Sequence, residues 1–92
     1  MKLIHTQNNI HFLRFDASEN VIELLQRFCQ ENQISSGSFN ALGACGELIL
    51  SYYNLETKTY EDTTLTEDLE IASMVGNVAM MNNEILIHTH GV

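Results

Sequence analysis

Apolar and polar positions alternate like a strand toward both ends of this chain and follow a helical period in one stretch between. Val21, Leu24, Leu25 and Phe28 recur at the i, i+3, i+4, i+7 spacing of a single helical face. Just upstream, Asp16 with Glu19 three residues later fits a capping box, and Ser18 is a rival N-cap. The spacing predicts one main helix that fades near Asn32, ahead of Ser35-Ser36-Gly37. Before it, Ile10 to Phe15 alternates as a strand, with Lys2 to His5 as a shorter strand in front.

After Gly37 the period of two takes over. Ser38 to Leu42 leads into Gly43-Ala44-Cys45-Gly46, a turn or bulge where glycine permits positive φ. Leu48 to Tyr53 is rich in β-formers, Asn54 to Thr57 turns the chain, and Lys58 to Tyr60 and Thr63 to Thr66 supply two further extended pieces. Ile71 to Met81 is apolar on both faces, the pattern of a central strand covered on both sides. Asn82-Asn83 suits a tight hairpin because Asn tolerates the left-handed region, and Glu84 to His90 then pairs antiparallel with the strand before it. One helix packed on a mainly antiparallel sheet makes an α+β fold, read as one domain over residues 1–92.

Composition narrows the picture. A 92-residue chain with 45% apolar and 17% charged residues is globular rather than disordered. A domain of this size buries only about 60–65% of its unfolded surface, so self-association is expected. The first residues show no targeting segment, and no run reaches the ~20 apolar residues of a membrane span. Cys29 and Cys45 have neither metal nor redox spacing and read as reduced thiols. The expected location is the cytoplasm.

Charge excludes one class of function. Four basic residues (Lys2, Arg14, Arg27 and Lys58) stand against twelve acidic ones, for a formal net charge of −8. No two of the four are adjacent, and duplex binding draws most of its affinity from basic stripes on phosphates. Direct nucleic-acid binding by this chain is not expected.

The blocks Gly37-Ser38-Phe39-Asn40-Ala41-Leu42-Gly43-Ala44, Leu50-Ser51-Tyr52-Tyr53-Asn54-Leu55-Glu56, Glu70-Ile71-Ala72-Ser73-Met74-Val75-Gly76-Asn77-Val78-Ala79 and His88-Thr89-His90-Gly91 occur in that order. Together they resemble the plant-and-prokaryote-conserved (PPC) domain family. The resemblance implies an α+β domain that assembles as a homotrimer, and a history of labels such as "putative DNA-binding protein" inherited from plant relatives with AT-hooks. This chain has no Arg-Gly-Arg centre of an AT-hook. Family domains continue for several strands beyond the His-x-His block, so the chain reads as lacking the C-terminal strands. Where plant members carry Gly-Arg-Phe for partner contacts, Glu67-Asp68-Leu69 stands here, and only Glu70 and Ile71 carry over. The chain is expected to associate through its sheet, with Tyr52, Tyr53 and the Ile71 to Met81 strand at the contact.

His88 and His90 are the candidate metal ligands. Two residues apart on a strand, they offer two imidazoles from one face, and the resemblance to metal-binding prokaryotic members points to zinc. A stable zinc site wants at least three protein ligands, so a third has to come from His5, His11, Glu70 or a neighbouring subunit. Against this stands the plainer reading of two partly exposed strand histidines. Ser73 and Asn77 could line a pocket beside the pair with Glu70 as general base, but satisfying backbone groups or a sister subunit is the favoured role. Gly43, Gly46 and Gly76 match no phosphate-binding loop and read as backbone devices. Cys45 has no base in its sequence context and reads as a small filler rather than a nucleophile. The acidic stretches Glu61-Asp62 and Glu67-Asp68-Glu70 read as solvated loop and strand edge. Two functions remain: a non-enzymatic trimeric interaction or regulatory module, or a metal-dependent small-molecule site, binding or enzymatic, around His88 and His90. No catalytic residue is identified.

Overall fold

The computed structural model describes residues 1–92. In chain order the elements are β1 (Lys2–Gln7), β2 (Ile10–Arg14), α1 (Val21–Glu31), β3 (Gly37–Cys45), β4 (Leu48–Asn54), β5 (Thr59–Leu65), β6 (Leu69–Met81) and β7 (Glu84–Gly91). β1 pairs with β2, β4 pairs with β5, and β6 lies between β3 and β7. One helix with mainly antiparallel strands is the α+β class expected. The two extended pieces around Tyr60 and Thr64 fuse into one strand, because the antiparallel register with β4 runs unbroken from Leu48↔Leu65 to Asn54↔Thr59.

The chain divides into two units, Met1–Ser38 with Asn77–His88, and Phe39–Gly76 with Thr89–Val92. The first is built on α1. Its N-cap is Asn20, whose Oδ1 accepts the Glu23 N–H at 3.1 Å. Neither sequence candidate fills that role. Ser18 sits at φ 68, whereas an N-cap needs extended backbone. Asp16 and Glu19 close a turn ahead of the helix instead, with the Asp16 N–H donating to Glu19 Oε1 at 3.1 Å and the Glu19 N–H to the Asp16 carbonyl at 3.3 Å. Glu19 also receives the Met1 amino group. That ammonium first, then the Asp16 N–H, hold the Glu19 carboxyl below its ordinary range.

At the other end Gln33 adopts φ 56, and the Ile34 N–H reaches the Cys29 carbonyl at 2.8 Å while the Gln33 N–H reaches that of Gln30 at 3.3 Å. This paired closure satisfies two of the carbonyls that a helix end leaves open. The helix buries Leu25, Phe28 and Cys29, and the same unit supplies buried Val78 and Ile85. Gln26 ties the helix to β7 by donating from Nε2 to the Ile85 carbonyl at 2.6 Å. The His11 ring meets Phe28 edge-on at 5.4 Å. β1 and β2 turn through Asn8 and Asn9, both at positive φ (50 and 65), the same device as Asn82 and Asn83 (53 and 64) between β6 and β7.

The second unit holds β3 from Phe39, the β4–β5 hairpin and the first part of β6. Gly43 stays inside β3 rather than ending it; its φ of 149 is open to glycine, and no atom would crowd an added Cβ. The β4–β5 turn is organised by Asn54, whose Oδ1 accepts the N–H groups of Glu56 (2.9 Å) and Thr57 (3.3 Å). In β6 the N–H groups of Ala72 (2.9 Å) and Ser73 (3.4 Å) both donate to the Val92 carbonyl, and Val92 donates back to the Ser73 carbonyl at 2.8 Å. Two residues opposite one define a β-bulge. It reverses the alternation: Ile71 is half-buried before it, whereas Met74 and Gly76 are the half-buried positions after it.

β6 is therefore central in its three-stranded sheet, as expected, but is not covered on both sides in the single chain. From the bulge onward Ser73, Val75, Asn77, Ala79 and Met81 are all exposed.

Candidate functional site

Strand β7 alternates cleanly. Ile85, Ile87 and Thr89 form its buried or half-buried side, and Leu86, His88 and His90 its exposed side. The side chain of Thr89 anchors the strand to β6 by donating to the Val75 carbonyl at 3.0 Å. The parity that the sequence assigns to the histidines is the parity observed. The division between the two units falls between His88 and Thr89, so the two imidazoles belong to different units. Each takes part in an interaction within the chain.

The proposed third ligands do not join them. His11 is occupied by its ring contact with Phe28 and by a 3.0 Å contact between Nδ1 and the Thr6 hydroxyl. His5 stands in the same unit as His11, 3.4 Å from Gln7 Oε1, with its ring centroid 6.2 Å from that of Phe12. Glu70 lies exposed at the start of β6. No three His, Cys, Asp or Glu side chains gather closely enough to hold a metal ion. Judged by donor chemistry, His88 and His90 fit two positions of a zinc site and leave the rest to be supplied from elsewhere.

The remaining candidates have plain structural places. Ser73 and Asn77 are exposed, which removes the need for buried hydrogen-bond partners. The Cys29 thiol is buried beneath the helix, and burial pushes its pKa up, away from nucleophilic behaviour. Cys45 is half-buried at the end of β3. Two shallow recesses flank the helix: one of about 250 Å³ lined partly by Cys29, Ile34, Met80 and Ile85, and one of about 190 Å³ beside Gln26, Glu84 and Leu86. The histidines line neither.

Two arrangements escaped the sequence reading. In the β4–β5 hairpin, the Tyr52 hydroxyl donates to Glu61 Oε2, and Asn54 Nδ2 donates to Glu61 Oε1 at 3.1 Å. The Tyr52 hydroxyl, then the Asn54 amide, hold the Glu61 carboxyl below its ordinary range; the same bond raises the pKa of Tyr52. The signal was the placement of Tyr52 and Glu61 as directly opposed residues, readable only once the register is known. The second is in β1–β2, where the register sets Lys2 opposite Arg14. Half of the chain's four basic residues, well separated in sequence, thus become neighbours.

One helix and mainly antiparallel strands, the last of which carries His-x-His, give the α+β class that the sequence resemblance implied. Residues 4–92 match the Plants and Prokaryotes Conserved (PCC) domain, and the chain belongs to that family. Among solved structures it is similar to a metal-containing protein from Archaeoglobus fulgidus, with TM-score 0.84 and 32% identity over 99% of this chain and 66% of that one. It is also similar to a "putative DNA binding protein" from Bacteroides thetaiotaomicron, with TM-score 0.73 and 42% identity over 77% of this chain and 50% of that one. A plant- and prokaryote-conserved (PPC) protein from Pyrococcus horikoshii matches at TM-score 0.79 and 25% identity, over 86% of this chain and 55% of that one. The chain thus spans between 50% and 66% of the length of these structures. No curated protein matches it. No helix is long and apolar enough to cross a membrane.

Proposed function

We propose that this chain is a non-enzymatic, trimeric interaction or regulatory module of the cytoplasm. The observation that carries the reading is an excess of exposed surface that includes large apolar side chains. The chain exposes 7496 Å². A folded monomer of its 10.4 kDa mass is expected to expose only about 5,400 Å². The difference, roughly 2,100 Å², is more than the roughly 1,600 Å² that one protomer commits to two interfaces of ordinary size at about 800 Å² each. Tyr52 is 57% exposed, Tyr60 70% and Val75 53%, so apolar side chains supply much of it. Light scattering over a dilution series tests the reading. A mass near three times 10.4 kDa is expected; a cooperative monomer at high micromolar concentration rejects association, and a dimer rejects the trimer.

Relatives described as DNA-binding do not change this reading. A net charge of −8 opposes phosphate contacts, so no specific duplex binding is expected. Submicromolar affinity for an unrelated duplex at ~150 mM salt would overturn that expectation, because nonspecific binding in that regime is normally only ~10⁻⁴–10⁻⁶ M.

A second reading is favoured by the metal-containing relative that aligns with 99% of this chain. Here His88 and His90 hold zinc, a neighbouring subunit completes the coordination, and the metal supplies Lewis acidity to a bound small molecule. Binding weakens as pH falls, since a protonated imidazole has no lone pair to give. Elemental analysis of untagged protein tests it: a His88→Ala/His90→Ala variant is expected to lose the metal, and unchanged stoichiometry would place the site elsewhere.

A further inference from the structure

The outer side of β1–β2 carries an arrangement that costs the isolated chain stability. Paired residues on antiparallel strands project to the same side, so Lys2 and Arg14 stand together; at two-residue steps along β2, and across a register shift between Leu3 and His5 in β1, His5 opposite Phe12 and Gln7 opposite Ile10 follow. Like charges directly opposite are destabilising. The contact that Arg14 has is a single Nε to Asp16 Oδ1 approach at 3.4 Å between exposed side chains. Beside the charges, Phe12 and Ile10 are 56% and 58% exposed. Charge, aromatic and aliphatic positions thus follow one another along one strip.

The β4–β5 hairpin presents the opposite charge in the same order. On one of its faces Glu61 stands opposite Tyr52, then Leu50 opposite Thr63, then Leu48 opposite Leu65. Tyr52 and Leu50 are 57% and 48% exposed. Glu61 is fixed in place by Tyr52 and Asn54. Asp62, the next residue, pairs with Ser51 and so projects to the other face of the hairpin.

We infer that the Lys2/Arg14 face of one copy docks on the Glu61/Tyr52 face of the next, sheet against sheet. The contact is heterologous, and a heterologous contact whose rotation closes generates a ring. Its occupant is a second copy rather than a nucleic acid, because a surface of net charge −8 repels phosphates while it offers carboxylates to its own basic strip. This rests on the reading of the chain as self-associating.

Light scattering and sedimentation of charge-reversed chains test it, with circular dichroism reporting the fold of each. Wild-type protein should associate; Arg14→Glu and Glu61→Lys should each weaken association by roughly tenfold or more. Lys2→Glu, on the strand opposite, repeats the first test independently. Asp62→Lys makes the same charge change on the other hairpin face and should leave association near wild type. The double variant Arg14→Glu/Glu61→Lys should restore it, because every contact then joins two reversed faces in a ring of any size. Folded variants that associate like wild type would overturn the inference while leaving self-association standing. So would an Asp62→Lys effect as large as that of Glu61→Lys, a folded double variant that stays dissociated, or duplex binding lost with Lys2 and Arg14. A monomeric wild type would overturn both readings.

Discussion

The two units of the chain differ in what holds them. Every buried apolar side chain, namely Leu25, Phe28, Cys29, Val78 and Ile85, belongs to the unit built on α1. The unit containing the β4–β5 hairpin has none and exposes Ile49, Leu50, Tyr52, Tyr53 and Tyr60 instead. An isolated two-stranded hairpin is marginal in water, and three or more strands or a covering helix are usually needed. The lesson is that the helix-bearing unit is organised by apolar burial inside the chain. The hairpin unit keeps its order through register and polar side chains, and its apolar surface is left for a neighbour.

The contrast breaks most directly at Phe28. Truncating this 7% exposed side chain should cost about 3–5 kcal/mol, a large share of a total of about 5–15 kcal/mol. Tyr53→Ala, at 45% exposure, should change the folding stability of dissociated chains by only about 0.5 kcal/mol. Denaturant melts of both variants at low concentration measure this. Equal losses would erase the distinction between the units.

Gln33→Gly sharpens it. At φ 56 a residue with a Cβ carries about 1–2 kcal/mol of strain, part of which returns as greater glycine freedom in the unfolded chain. A net gain of up to about 1 kcal/mol in the same melts is expected, and a loss would show that the Gln33 side chain contributes more than its backbone costs.

Tyr52 and Glu61 give the smallest effect and probe the hairpin alone. Glu61 has its folded pKa lowered, so its contribution is present above the ordinary 4.5 and is lost as pH falls through the lowered value. For Tyr52 the folded pKa is raised, so its contribution is present below the ordinary 10.0 and disappears as pH rises through the raised value. Ultraviolet titration should find one tyrosine ionising above 10.0, and Glu61→Gln should bring it back toward that value. An unchanged titration would mean the bond does not order the hairpin.

Local signals were legible in the sequence wherever one residue type carries one backbone demand. Asn82-Asn83 announced its turn, and Val21, Leu24, Leu25 and Phe28 announced the helix. The same reasoning applied to Asn8-Asn9 would have found the first hairpin. The helix start was misplaced because Asp16, Ser18 and Asn20 are all capping types, and only φ separates Ser18 from a cap. Exposure of the Ser73 to Met81 side was also missed, since apolar residues on both faces do not say whether the second cover comes from the same chain. The histidine parity followed from period two, but their ligand partners did not, because strand periodicity carries no information about distant elements. Lys2 with Arg14 and Tyr52 with Glu61 depended on register, which sequence spacing leaves open.

The bulge at Ala72 and Ser73 acts as a frameshift in the in-and-out reading of β6. Removing one of the two would leave a continuous alternation, with Leu69 and Ile71 still half-buried and Glu70 still exposed. A one-residue insertion elsewhere in β6 would invert everything upstream of it, whereas one beside the bulge can be absorbed by the irregularity already present. Relatives that differ in length by one residue in this strand should therefore place the gap here, where a residue can be lost without turning over the acidic start of β6.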